Sequence, residues 1–361
     1  MAGTGSPDSP PGKIKMTPPR IANRLLPWYQ QSGRHDLPWR QSRDPYLLYL
    51  AEIMLQQTRV ETVKPYFRRF LAHFPSWQAL ADASLDEVLA LWSGLGYYAR
   101  ARNAHAAARM VVDRFQGEFP TDLAQAVELP GVGRSTAAAV LASAYGQRQA
   151  ILDANARRVL FRYYGFTGSA RSPQNERRLW QLAEQETPAA AHDYNQAIQD
   201  LGALLCLSRK ARCDDCPLFG PCAGPSEPTQ IPQPEKPVRY ACFLLLRAED
   251  GCVLLEKRPN RGIWGGLWAL PWYALVGANE APELAETLRD WARAEYGLRP
   301  QLGEWHPWQR HTFTHFHLEY RVIEAGVSVY GVGEGRRALS PFAPEQLAQL
   351  ALPSPLRRLF S

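Results

Sequence analysis

Apolar positions recur at helical spacing through the first part of the chain, around residues 44–74, 85–92, 101–115 and 135–145. Side chains three and four apart fall on one helix face, so this pattern predicts an all-helical domain over 21–222. The pattern then breaks. Five prolines alternate with polar residues between Ala223 and Val238, a composition that supports neither a helix nor a central strand, and 223–238 reads as a linker. Beyond it the period changes. Residues 240–247 and 252–257 are short apolar runs separated by Glu249-Asp250-Gly251, a hairpin signal. Residues 283–296 read as one helix stopped by Gly297, and 312–324 alternate as a further strand that would put Phe313, His315 and His317 on one face. Residues 239–361 are therefore expected to form a mixed α/β domain, which makes the chain multidomain.

Composition narrows the classes. The 361 residues are 45% hydrophobic and 21% charged, which are globular values and enough chain for two cores. No run approaches the roughly 18 uninterrupted apolar residues of a membrane span, so no membrane partner is expected. Residues 1–20 are rich in Pro, Gly and Ser without an apolar centre; they read as a disordered tail rather than a secretory signal, which implies a cytoplasmic location. The net charge of +6 lies entirely before residue 226, and nearly all the basic residues are arginines. Planar guanidinium groups suit phosphate, which favours a nucleic-acid partner over a basic surface with no partner.

Four of the six cysteines stand as Cys206-x6-Cys213-x2-Cys216-x5-Cys222. In a cytoplasmic chain such crowding indicates a metal centre before a disulfide. Four thiolates close around an iron–sulfur cubane or a tetrahedral zinc, and spacing does not choose between them. Cys242 and Cys252, on the predicted hairpin, read as core. Upstream, Leu129-Pro130-Gly131-Val132-Gly133-Arg134-Ser135 precedes an alanine-rich helix. Its glycines permit a tight turn with N–H groups exposed at a helix N-terminus, either a phosphate site or a plain interhelical turn. Asp153, twenty positions past Gly133 in Ile151-Leu152-Asp153-Ala154-Asn155, is by pattern alone a helix N-cap.

Glu52, in Ala51-Glu52-Ile53-Met54-Leu55-Gln56-Gln57-Thr58, puts a carboxylate in an apolar helical turn. It is either a surface residue or, if buried, one that keeps its proton near neutral pH and serves as a general acid. Tyr97 and Tyr98, in Gly94-Leu95-Gly96-Tyr97-Tyr98-Ala99-Arg100, set aromatics beside an arginine, a pattern equally suited to core packing and to a wedge between bases.

Cysteine spacing, hairpin and aspartate, in this order, resemble the endonuclease III and MutY superfamily of helix-hairpin-helix DNA glycosylases. The string around Glu52 resembles its adenine glycosylase family, and that resemblance extends from about residue 21 to 360. It implies a [4Fe-4S] cluster on Cys206, Cys213, Cys216 and Cys222, in a loop over 206–222. It implies that Gly131, Gly133 and Ser135 grip the DNA backbone and that Gln57 and Tyr97 insert beside the lesion. Glu52 would protonate adenine N7, and Asp153 would face the sugar C1′ and stabilise the oxocarbenium ion left when the base departs. Tyr145 and Asn155 would lie near that aspartate, and Arg40 and Gln196 near the adenine pocket. Bifunctional relatives carry a lysine where this chain has Ser135, and a hydroxyl forms no Schiff base, so a monofunctional hydrolase with little lyase activity is implied.

Two departures qualify the match. Ala154-Asn155-Ala156 replaces the usual Gly-Asn-Val, and Gln196 stands where a glutamate is frequent, which keeps the hydrogen bonds without the charge and implies an altered pH dependence.

Residues 239–361 resemble the Nudix-like domain of the same family, including Arg261-Gly262-Ile263-Trp264-Gly265-Gly266-Leu267-Trp268. Magnesium-dependent pyrophosphate hydrolysis needs a glutamate-rich helix, and within 290–297 only Glu295 remains of that set, so recognition rather than hydrolysis is implied. Phe313, Thr314 and His315 occupy the place of the family's Phe-Ser-His loop, which contacts 8-oxoguanine. His306, His311, His315 and His317 cluster without cysteine or carboxylate companions, which argues against a metal there. The expected activity is removal of adenine opposite 8-oxoguanine, and from A:G pairs, in double-stranded DNA, by a monomer. The rivals are a bifunctional endonuclease III type enzyme, opposed by Ser135, Glu52 and the second domain; an 8-oxo-dGTP pyrophosphatase, opposed by the missing glutamates; and a non-catalytic DNA sensor.

Overall fold

The computed structural model describes residues 20–224, 235–278, 284–328 and 335–360. The expected tail up to residue 19, most of the expected linker and Glu283 lie outside the described residues. In chain order the helices are α1 (Ile21–Ser32), α2 (Pro45–Leu55), α3 (Val60–His73), α4 (Trp77–Asp82), α5 (Leu85–Trp92), α6 (Ala99–Phe115) and α7 (Leu123–Ala126). They continue with α8 (Arg134–Tyr145), α9 (Ala154–Tyr163), α10 (Pro173–Glu186) and α11 (Ala191–Leu204). Then follow β1 (Val238–Ala248), β2 (Val253–Lys257), β3 (Trp268–Ala269), β4 (Trp272–Leu275), α12 (Leu284–Tyr296), β5 (Gln301–Trp305), β6 (Gln309–Thr312), β7 (His317–Val327) and β8 (Ser340–Phe342). The chain divides into two compact units, residues 1–41 with 138–231 and residues 42–137 with 232–361.

In the first unit α1, α9, α10 and α11 bury one stripe each: Ile21 and Leu25, Ala156 and Leu160, Leu179 and Ala183, Ile198 and Leu201. The spacing of three or four within each pair is the helical period that the sequence displays. Asp153 caps α9, its Oδ1 accepting the Ala156 N–H at 2.8 Å. Gly202 lets α11 come close to that helix start, since a Cβ there would lie 2.6 Å from the Asn155 Cβ.

In the second unit, Asp44 caps α2 by accepting the Tyr46 N–H at 2.8 Å, with Pro45 at the first helical position. Tyr46, Leu48, Tyr49, Leu50, Ala51, Ile53 and Met54 are all buried, so α2 is a core helix rather than an amphipathic one. Ser84 and Glu87 form a capping box on α5. The stretch over 44–74 is not continuous: α2 ends at Leu55 and α3 starts at Val60, with Gln57 at φ 58° between them.

The sheet of this unit is mixed, with the path β3-β2-β1-β7-β5, β4 also on β1, β6 on β7 and β8 on β2. β1 and β7 run parallel in register from Val238↔His317 to Ala248↔Val327, and β1 turns into antiparallel β2 at the predicted hairpin. Leu284, Leu288, Ala292 and Tyr296 of α12 cover Leu244, Leu246, Ile323 and Ala325 of these strands. One expectation fails here. Residues 312–324 do not form one strand: β6 ends at Thr312, and residues 313–316 are a hairpin tip closed by the Phe313 N–H on the Phe316 carbonyl at 2.9 Å. The tip takes Phe313 and His315 out of the strand face that His317 belongs to, because the Phe313 and Phe316 rings stack 4.5 Å apart across it.

Candidate active site and its supports

In the first unit the Asp153 carboxyl sits at the N-terminus of α9, where free N–H groups and the helix dipole receive negative charge. Burial nevertheless raises its pKa above the ordinary aspartate value, against the lowering effect of the Ala156 and Asn155 N–H groups and of Arg158. The capping role and the functional reading therefore coexist, since the cap orients the carboxyl. Asn155 is held by Arg158, whose Nη2 donates to Asn155 Oδ1 at 2.8 Å and to the Gly202 carbonyl at 2.5 Å. The same guanidinium donates through Nε to the Cys206 carbonyl at 2.6 Å, so one side chain ties the helix start to the cysteine loop.

Cys206, Cys213, Cys216 and Cys222 line one cavity together with Val159, Arg162 and Leu205. Burial, with the other three thiols in support, pushes Cys216 up to about 11, and burial raises Cys222 as well. Thiols that oppose one another's ionisation in this way are matched to a multivalent cationic core, which reverses the effect. Among the described residues no group of three His, Cys, Asp or Glu side chains is arranged around a single ion. Arg162 closes the loop from behind, with Nη1 at 3.4 Å from Cys206 Sγ and 2.6 Å from the Leu207 carbonyl. The donor set fits an iron–sulfur cubane.

Arg40 and Gln196 lie on either side of Tyr29. The Arg40 guanidinium stands 5.8 Å from the Tyr29 ring centroid, and Tyr29 donates its hydroxyl to Gln196 Oε1 at 2.6 Å. Arg40 also binds the fully buried Asp200 at 2.7 Å, as does Arg34 at 2.6 Å. Burial works to raise the Asp200 pKa, but Arg40 first and Arg34 next outweigh it and hold the carboxyl below its usual range. Beyond Gln196, His192 Nε2 lies 3.4 Å from the amide nitrogen, and His192 Nδ1 lies 2.9 Å from Ser143 Oγ. Tyr145, two residues further along α8, is exposed.

In the second unit Glu52 is the one acidic or basic side chain of α2 and is half-buried. Gln57 and Tyr97 both hold a left-handed backbone, φ 58° and 49°, and both side chains reach solvent, Tyr97 with 48% exposure. The two hairpin glycines divide their work. Gly131 has φ 77° and a Cβ there would lie 2.8 Å from Asn103, whereas Gly133 has nothing within 4 Å of that position and leaves the approach to the start of α8 open. Ser135 lies in the first turn of α8.

The hairpin tip carries Thr314 and His315 exposed, above a Phe313 ring packed 4.7 Å from His311 and 5.6 Å from Trp264. Lys236 Nζ donates to the Phe313 carbonyl at 2.9 Å. Glu295 is engaged by Arg337 at 3.3 Å and Arg336 at 3.6 Å. Sequence reasoning missed Arg158, Arg162, Asp200 and Trp264. Only the run of three arginines within α9 hinted at the first two.

Residues 50–185 match the HhH-GPD superfamily of base excision DNA repair proteins, and residues 242–361 match the NUDIX domain. The chain is similar to the adenine DNA glycosylase of Buchnera aphidicola, 38% identical with 71% of this chain and 75% of that protein covered. It is similar to the adenine DNA glycosylase of Homo sapiens, 32% identical with 93% and 72% covered. Among solved structures, a thermostable thymine-DNA glycosylase superposes with a TM-score of 0.52 at 31% identity, covering 57% of this chain and 94% of that one.

Proposed function

The chain belongs to the adenine DNA glycosylase family, and from that premise we propose that it hydrolyses the N-glycosidic bond of adenine opposite 8-oxoguanine, and of adenine in A:G pairs, without cutting the strand. The observation that carries the proposal is Glu52, the one acidic side chain of α2, half-buried on a helix whose other residues are apolar or aromatic and mostly packed. Burial of a carboxyl favours its protonated form, the form a general acid needs. Glu52 delivers it to adenine N7, and the base leaves as a neutral species. Asp153, oriented by its cap, faces the sugar C1′ and stabilises the cationic ring that water then attacks, with Asn155 and Tyr145 beside it. Ser135 supplies no amine, so the reaction stops at the abasic site.

Gly131, Gly133 and Ser135 hold the strand, while Gln57 and Tyr97 fill the gap left by the extruded nucleotide. Arg40 and Gln196 border the base pocket, and the tip at Phe313, Thr314 and His315 reads the opposite 8-oxoguanine. The four cysteines hold a [4Fe-4S] cluster, which when bound supplies cross-links to a loop rich in Asp, Pro and Gly. The helical catalytic domain is assigned to 21–222 and the recognition domain to 239–361, acting as a monomer on double-stranded DNA.

The test is a duplex with adenine opposite 8-oxoguanine, labelled on the adenine strand and assayed with and without hot alkali. Cleavage only after alkali supports the proposal. Cleavage without alkali, with strong borohydride trapping, overturns the monofunctional assignment, and no abasic site at all overturns the activity.

A further inference from the structure

Arg100, near the start of α6, is buried beneath two turns that lie far apart in sequence. Its Nη1 donates to the carbonyls of Ile53 at 3.1 Å, Met54 at 2.6 Å and Gln56 at 2.6 Å. Its Nη2 donates to Thr58 Oγ1 at 3.0 Å and to the carbonyls of Leu95 at 3.4 Å and Gly96 at 3.1 Å. The guanidinium carbon stands 5.4 Å from the ring centroids of both Trp92 and Tyr97. The first three carbonyls belong to the last turn of α2 and its exit, which no continuing helix can satisfy. Thr58 follows Gln57, and the Leu95 and Gly96 carbonyls belong to the turn that leads into Tyr97.

Each turn carries a non-glycine residue in the left-handed region, Gln57 and Tyr97. Such a conformation persists only where the surroundings impose it. Each turn has a local element, the Thr58 N–H donating to the Leu55 carbonyl at 3.2 Å around Gln57 and Gly96 at φ 75° before Tyr97, but neither of these joins the two turns. The imposing contact common to both turns is the Arg100 fork. Burial pushes Arg100 down to about 10, against the opposing effect of Tyr97, so the side chain stays charged at neutral pH.

We propose that Arg100 is a positioning residue that locks the Gln57 and Tyr97 turns to each other and so presents both side chains together to the gap in the base stack. It acts through them, since its own side chain is covered. The inference rests on the reading of Gln57 and Tyr97 as inserting residues. A lysine at this position keeps the charge and loses the planar fork that reaches both turns at once.

The experiment uses the full chain and a duplex with adenine opposite 8-oxoguanine, with 2-aminopurine beside the adenine to report extrusion. Arg100→Lys is expected to slow extrusion and single-turnover adenine release by about 100-fold, the scale of a misplaced reactant, with circular dichroism and duplex affinity little changed. In a Gln57→Ala, Tyr97→Ala background, the same substitution should add less than about twofold, because the side chains it places are gone.

Parental rates in Arg100→Lys, or its full loss repeated in the doubly substituted background, overturn the proposal while leaving the inserting reading intact. Parental rates in the doubly substituted protein alone overturn the inserting reading, and the role of Arg100 with it. If Arg100→Lys melts early, Thr58→Val, which removes a single anchor, decides: a several-fold slower extrusion supports positioning, and no change assigns Arg100 to stability alone.

Discussion

The turn that carries Gln57 and the hairpin tip that carries Thr314 are both short and both expose the residues assigned to DNA, yet they are held by different forces. The Gln57 turn hangs on carbonyls gathered by one buried guanidinium. The tip rests on rings, with Phe313 between Phe316, His311 and Trp264. Hydrogen bonds to a charged donor are short and directional, and a planar fork adds geometric specificity. Ring packing is broad, and a ring can be replaced by another apolar group of similar volume at modest cost. The Asp153 region belongs with the first kind, since Arg158 gathers Asn155, Gly202 and Cys206 in the same manner. The lesson is that this molecule uses guanidinium forks at the turns proposed to meet a proton or a strand. It uses aromatic packing at the tip proposed to read a base.

Substitutions that break the fixed-geometry side should give the largest effects. Asp153→Asn is expected to lower single-turnover adenine release by about 10³-fold, while asparagine still caps α9. Its stability should move the other way. A carboxyl whose folded pKa is raised stabilises the fold only below the unfolded aspartate value, and that contribution is lost as pH rises through the folded pKa. The variant should therefore melt above the parent at neutral pH, with the gap closing below about pH 4; a gap that widens on acidification would contradict the assignment of Asp153 as a buried carboxylate.

Arg158→Lys comes next, with a loss of tenfold or more in rate, on the order of one charge-assisted hydrogen bond, and a weaker visible absorption from the proposed cluster. Parental rate with a parental spectrum would place Arg158 outside the support of the site.

The ring-packed side should be more forgiving. Phe313→Leu is expected to cost less than about 1.5 kcal/mol of stability and to reduce the preference for A:8-oxoguanine over A:G by less than tenfold. Collapse of the fold, measured by urea titration, would show that the tip is braced as tightly as the Gln57 turn. The smallest effect is expected from Gln196→Glu, which keeps the acceptor for the Tyr29 hydroxyl and restores a titrating group. The rate at neutral pH should change little while the pH profile shifts, and an unchanged profile would remove Gln196 from the pocket.

Much of this was legible along the chain. α5 is found where periodicity puts it, α8 begins one residue early, and the β1–β2 hairpin turns at Gly251 as read. The break after Leu55 was not legible, because the residues from Gln56 to Arg59 include no helix breaker and the carbonyls freed there are received by an arginine more than forty positions away. Nor was the tip at 313–316: its one mark in the sequence is a slip of phase between Phe313 and the alternating Phe316, Leu318, Tyr320 and Val322, and the turn is closed by the Phe313 N–H on the Phe316 carbonyl and by the meeting of the two rings. The resemblance puts Arg40 near the pocket, but its engagement with buried Asp200 was not legible.

The sequence by itself determined the family, the candidate residues for chemistry and many of the helices and strands, because periodicity, caps and short motifs are local and each is complete within a few positions. Only the tertiary structure decided how those residues are aimed. The guanidinium forks of Arg100 and Arg158 act on carbonyls brought near by folding, and a carbonyl's free lone pairs leave no mark on residue identity.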